Sequence, residues 1–172
     1  MRRSIVTVVV VGVCAAGAAA APGMTTSPQA PKKITSKGVG QVKLGKRFAT
    51  LRQQGLVGKL RPGCELGGPQ TRSARLLPPL QGTVDFTVTN PRRAADITIR
   101  GGAEARGVGI GDRIADIKAA FSRRKIDRSQ EDVFGLTFVF VPKRNDPRLM
   151  FAVDVDTKRI TLIGVPVIAV CE

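Results

Sequence analysis

The chain has 172 residues, with 28 Lys and Arg against 13 Asp and Glu, a formal net charge of +15, and no His, Trp or Tyr. The lack of histidine removes Ser-His-acid and Cys-His nucleophilic catalysis and every metal site that needs imidazole. What remains open to an enzyme of this composition is chemistry on carboxylates or on a Ser-Lys pair.

Met1, Arg2 and Arg3 precede an uncharged apolar run from Ile5 to Val13 and a small-residue stretch from Ala15 to Ala21, closed by Pro22. That order is the order of a cleavable secretory signal, with Ala18 and Ala20 where a signal peptidase reads. A retained anchor needs roughly 20 bulky apolar residues, and much of this run is alanine and glycine. Cys14 is the residue an acylated lipoprotein would use, but Val13 stands where a small residue is expected before it. The expectation is a signal peptide over residues 1–20 and a protein that is secreted or held at the cell envelope. Its loss takes away Arg2 and Arg3 and no acid, lowering the charge from +15 to +13.

Residues 21–37 carry Pro22, Pro28 and Pro31 among Thr, Ser, Gln and Lys. So little apolar surface cannot offset the entropy of ordering, and a flexible linker is expected. A single domain over residues 38–172 should follow, long enough for one core.

Within it an internal duplication runs at an offset of 66, dividing the domain into units 38–102 and 103–172. Val42, Leu44, Gly45, Arg47, Phe48, Ala49, Leu51 and Arg52 align with Val108, Ile110, Gly111, Arg113, Ile114, Ala115, Ile117 and Lys118. In both copies a two-residue alternation leads through glycine into helical spacing. The first helix should stop at Gly55. The second should start at Asp112 as N-cap and bury Ile114, Ile117 and Phe121.

Residues 61–81, rich in Pro and Gly, read as a link to a hairpin of Val84, Phe86 and Val88, a turn at Asn90-Pro91, then Ile97 and Ile99. In the second unit Phe134, Leu136, Phe138 and Phe140 alternate, and a turn between Pro142 and Pro147 leads to Leu149, Phe151, Val153 and Val155. Asp156-Thr157 then turns the chain into a strand with Ile160 and Leu162, and Val165 to Val170 form a last one. The expected fold is α+β: two similar helix-plus-antiparallel-β units, with the helices covering one sheet face. Cys64 and Cys171, one in each unit, are an even pair in an exported chain and are expected to form a disulfide.

The Val42-Lys43-Leu44-Gly45 and Val108-Gly109-Ile110-Gly111 lead-ins, with the Ile114, Ile117, Phe121 helix face, resemble a group of small secreted actinobacterial proteins of unassigned function. In plan the doubled unit is similar to the β-lactamase inhibitor protein fold. That family binds through an aromatic-rich concave face and closes its disulfides within each repeat. This chain has neither Trp nor Tyr and one cysteine per half, so the resemblance implies architecture and no binding residues.

Among acidic residues, Glu131-Asp132 and Asp154 with Asp156 cluster. Asp154 and Asp156 read either as a hard-cation or acid/base pair, or as turn residues that pair with Lys158 or Arg159; turn chemistry favours the second. Gly107-Val108-Gly109-Ile110-Gly111 fits neither a dinucleotide nor a P-loop spacing, and Asp112 would oppose a phosphate, so a tight strand-to-helix turn explains it. Arg92, Arg93, Arg123, Arg124, Lys125, Lys143 and Arg144 are candidate anion-binding residues. The meander places Lys143-Arg144 and Lys158-Arg159 at opposite sheet ends, which speaks for dispersed charge and against a nucleic-acid face. No cofactor or metal is expected.

The reading that follows is an exported, non-enzymatic binding protein drawn to anionic cell-wall or membrane polymers. The alternatives are an inhibitor-like binder of a secreted enzyme, and an enzyme using carboxylates or a Ser-Lys pair.

Overall fold

The computed structural model of the chain describes residues 30–65, 68–143 and 146–169. The expected leader with Cys14, the start of the linker, Arg144 and Cys171 lie outside the described residues. In chain order the first unit runs β1 (Lys32–Thr35), β2 (Gly38–Val39), β3 (Val42–Lys43), α1 (Phe48–Gln53), β4 (Val57–Pro62), β5 (Arg72–Leu76), β6 (Gln81–Phe86) and β7 (Ala94–Gly101). The second runs β8 (Ala103–Ala105), β9 (Val108–Gly109), α2 (Ile114–Ala120), β10 (Lys125–Asp127), α3 (Glu131–Phe134), β11 (Leu136–Lys143), β12 (Asp146–Asp154) and β13 (Ile160–Val165).

An eight-stranded antiparallel sheet in the order β10-β11-β12-β13-β7-β6-β5-β4 faces a five-stranded one in the order β3-β2-β1-β8-β9. The architecture is therefore mostly β, with three short helices among the described residues, and the α+β plan read from the sequence is overturned. The helices have seven residues or fewer, too short to form a layer of their own.

Alternation along the strands decides which side chains build the core. Val84 and Phe86, Ile97 and Ile99, Phe151 and Val153, and Ile163 and Val165 share one buried cluster with Leu51 of α1, Ile117 of α2, and Ile34, Val39, Val42, Ala105 and Val108 of the small sheet. Leu51 and Ile117 are fully buried, and each such side chain contributes about 1.5–3 kcal/mol through burial. Phe48 packs edge-on against Phe86 at 5.3 Å, and Phe121 against Phe151 at 5.6 Å, locking each helix end to the large sheet.

The same offset of 66 relates backbone contacts in the two halves. The Gly45 amide donates to Ala94 O at 2.8 Å, and the Gly111 amide to Ile160 O at 2.8 Å; Ala94 N–H reaches Lys46 O at 2.9 Å, and Ile160 N–H reaches Asp112 O at 2.8 Å. Arg47 bridges to Arg93 and Arg113 to Arg159. Where β7 meets β13, Ile99 pairs with Ile163, Thr98 with Gly164 and Ile97 with Val165. That register exchanges the halves about the Thr98–Gly164 pair, so an approximate twofold axis runs through the middle of the large sheet.

Several local features differ from the sequence reading. Lys32–Thr35, assigned to the linker, is a strand: it buries little beyond Ile34, but Lys32 and Lys33 pair in parallel with Ala103 and Glu104. The Pro- and Gly-rich stretch 61–81 holds the end of β4 and all of β5; the Lys59, Arg61 and Pro62 of β4 are ordinary equipment of an edge strand. Asp112 does not cap α2; its Oδ2 accepts the Gly109 amide at 2.7 Å, while Arg113 occupies the cap and Asp116 Oδ2 accepts the Arg113 amide at 2.8 Å.

The Leu136, Phe138, Phe140 stripe lies on the opposite face of the large sheet, with Met150, Ala152 and Leu162, because Val139 and Val141 between them fill the main core. No separate strand forms from Val165 to Val170 within the described part. After β13 the chain folds back and lays Val167 and Ile168 over that second cluster. Gly164 is what permits this return, since a Cβ there would run into the Val167 carbonyl and the Ile168 amide.

Candidate functional site

A cleft of about 430 Å³ opens where the small sheet, the C-terminal end of α2 and the β11–β12 hairpin meet. Ile34, Phe121, Val141 and Leu149 supply its apolar floor, and Lys33, Arg106 and Arg123 are its charged residues. Among the described residues no carboxylate lines it. All three cations are exposed, and among the described residues the only ion pair is elsewhere, between Arg128 and Glu131 at 3.7 Å.

The position of Arg106 follows from the two-residue turn that joins β8 to β9, in which Ala105 pairs with Val108. Arg106 and Gly107 both take positive φ, 54° and 77°, as a tight hairpin turn with the twist of its strands demands. The first unit meets the same requirement with Gly40 at φ 50°. Arginine in the left-handed region carries strain that glycine avoids. There its guanidinium stacks over the Phe121 ring at 5.2 Å and donates to Ala120 O at 3.3 Å, at the cleft wall.

Of the anion-binding candidates from the sequence, Arg123 alone enters this cleft. Arg92 donates to Gln70 O and Thr87 O, and Arg93 to Gly45 O at 2.9 Å, so both guanidinium groups are engaged by backbone carbonyls away from the cleft. Arg124 donates to Lys118 O and Phe121 O, capping the end of α2. Lys125 is exposed on the edge strand β10. Lys143 ends β11, and Arg144 lies outside the described residues. Cys64 follows β4, whereas its expected partner Cys171 is outside the described residues.

No family model, curated protein or solved structure matches this chain. The likeness to the β-lactamase inhibitor protein fold thus rests on the sequence features alone.

Of the acidic candidates, Glu131 and Asp132 open α3, and Asp154 and Asp156 sit at the turn after β12. Asp154 Oδ1 accepts both the amide and the hydroxyl of Thr157 at 2.7 Å, bonds that hold its carboxyl below the ordinary range. Asp156 and Asp132 are exposed, and Glu131 accepts the Thr137 hydroxyl. The Ser129 amide likewise lowers Asp127. None of these lines the cleft.

A carboxylate pair unremarked in the sequence lies on the large sheet's face away from the main core: Asp85 and Asp96, opposite each other on β6 and β7. Burial, and then the Asp96 charge, push Asp85 up from 3.8 to about 6; burial raises Asp96 as well. Their separation of 11 positions hides the pair in the sequence. Only strand register shows it.

Proposed function

We propose that this chain is an exported, non-enzymatic binding protein whose cleft takes an anionic group carrying an apolar chain. Such chemistry is offered by lipid-bearing anionic components of the cell envelope. The observation that carries this reading is the composition of the cleft: three exposed cations, one of them held in a strained turn, above an apolar floor and, among the described residues, without a carboxylate. Its volume lies within the ordinary range for small-ligand sites. A net charge of +15 on the full chain adds long-range attraction for such partners.

Dodecyl phosphate titrated calorimetrically into the protein tests it. Saturable binding should appear, strengthen as salt is lowered, and weaken by about tenfold or more in Arg106→Ala and Arg123→Ala, as loss of a charge-assisted contact requires. Equal affinity for dodecanol, or binding unchanged in both variants, would overturn the reading.

A further inference from the structure

We infer that Thr83, Asp85, Asp96 and Thr98 form a binding site for a hard divalent cation, Ca²⁺ before others, on the second face of the eight-stranded sheet, the one that Val167 and Ile168 partly cover. The register sets Asp85 opposite Asp96 and Thr83 opposite Thr98. Val84, Phe86, Ile97 and Ile99, the intervening and flanking residues, all belong to the main core. The four oxygen-bearing side chains therefore project together from the other face, as a two-by-two block. Cross-strand neighbours in such a block have Cβ atoms about 4.5–5.5 Å apart, close enough for one ion to engage both carboxylates.

Three observations point to an ion rather than to a solvated acidic patch. First, Thr98 is 3% exposed and its Oγ1 has no hydrogen-bond partner among the described residues. It sits one side-chain position along the strand from Asp96, on the same face. A buried hydroxyl left without a partner costs about 1–3 kcal/mol, and an ion or an ordered water is the usual remedy.

Second, on a strongly cationic molecule, neither carboxylate has a basic partner among the described residues. Arg61, on the same cross-sheet row through Ser73, Arg75, opposite Thr83, and Arg100, further along β7, are the cations nearest in register. None reaches Asp85 or Asp96 within ion-pair distance among the described residues.

Third, the twofold relation supplies an internal control. In strand register the pairs Thr83–Thr98 and Asp85–Asp96 are matched by Met150–Gly164 and Ala152–Leu162 on β12 and β13, the repeat offset staying at 66 on β13 and becoming 67 on β12. There the fold is completed by apolar residues under Val167 and Ile168. The oxygen donors are thus not required by the architecture. Ca²⁺ suits them because it accepts carboxylate and hydroxyl oxygens in a flexible shell completed by water, whereas Mg²⁺ demands stricter geometry.

The test is a calorimetric titration of CaCl₂ into chelator-treated protein, with KCl at matched ionic strength as control and a thermal melt alongside. One saturable site is expected, with Kd on the order of 10⁻⁴–10⁻³ M, the range of extracellular calcium modules, and a rise in Tm. Asp96→Asn should abolish both, and Thr98→Val should weaken binding several-fold with the circular dichroism spectrum unaltered. Asp154→Asn, at a turn outside the block, should bind as the parent does. Absence of a saturable heat, or undiminished binding in Asp96→Asn, overturns the assignment. This outcome is independent of ligand binding in the cleft.

Discussion

Asp85→Asn replaces one half-buried carboxyl by an isosteric amide that cannot ionise. In the folded chain Asp85 is raised from 3.8 to about 6 by burial and by Asp96. Below pH about 3.8 the acid is neutral in both the folded and unfolded chains, and the substitution should change stability little. Between there and pH about 6 the folded chain holds the proton longer than the unfolded one, so the parent's stability falls as pH rises, and the loss is complete once pH has passed about 6. At about 1.4 kcal/mol per pH unit the ceiling is about 3 kcal/mol. Because the side chain is only half-buried, solvent screening reduces it to about 1 kcal/mol. Urea unfolding at several pH values, in chelator, reads the difference from the midpoints at constant m. The variant should match the parent near pH 3.5 and exceed it by about 1 kcal/mol at pH 7.5. A variant equal to or weaker than the parent at pH 7.5 would refute the electrostatic account of this pair.

Gly164→Ala should cost about 1–3 kcal/mol, the usual penalty of forcing atoms into a packed site, and should release Ile168 from Met150; an unchanged urea midpoint would contradict the close return described above. Leu51→Ala and Ile117→Ala, at equivalent helix positions with no exposure, should each cost about 2–5 kcal/mol. A loss well below that range at either position would show that its helix is not part of the shared core. Peptide mapping without reductant should recover Cys64 linked to Cys171, and reduction should lower stability by about 4–5 kcal/mol in the loop-entropy treatment of so long a closure. Recovery of both as free thiols would remove the bridge.

The repeat offset, the core partners Leu51 and Ile117, and the hairpin of Val84, Phe86, Ile97 and Ile99 were all legible, because each rests on local apolar spacing. Fold class was not. β4 and β5 are edge and near-edge strands whose Lys, Arg and Pro residues suit solvent and spoil the alternation that marks a strand. β1 gains its place through pairing with β8, a contact that no nearby residue announces. Leu136, Phe138 and Phe140 were read correctly as a strand, whereas Phe134, assigned to it by the same alternation, ends α3; nor can alternation say which of two apolar faces is which. In the cleft Arg123 was legible as one of a basic run, but Lys33 fell within the expected linker and Arg106 stands outside every basic run. A non-glycine residue in a two-residue turn was the available signal. Asp85 and Asp96 are brought together by register alone.

The seam between β7 and β13 joins the halves through three residue pairs about the Thr98–Gly164 centre. Cut there, each half-molecule would leave an unpaired strand border facing water, the kind of border to which another chain readily adds. Because the two borders are complementary by symmetry, the natural mate for either fragment is its sibling or a second copy of itself. Covalent fusion of the units into one chain therefore replaces an association that would depend on concentration with one that does not.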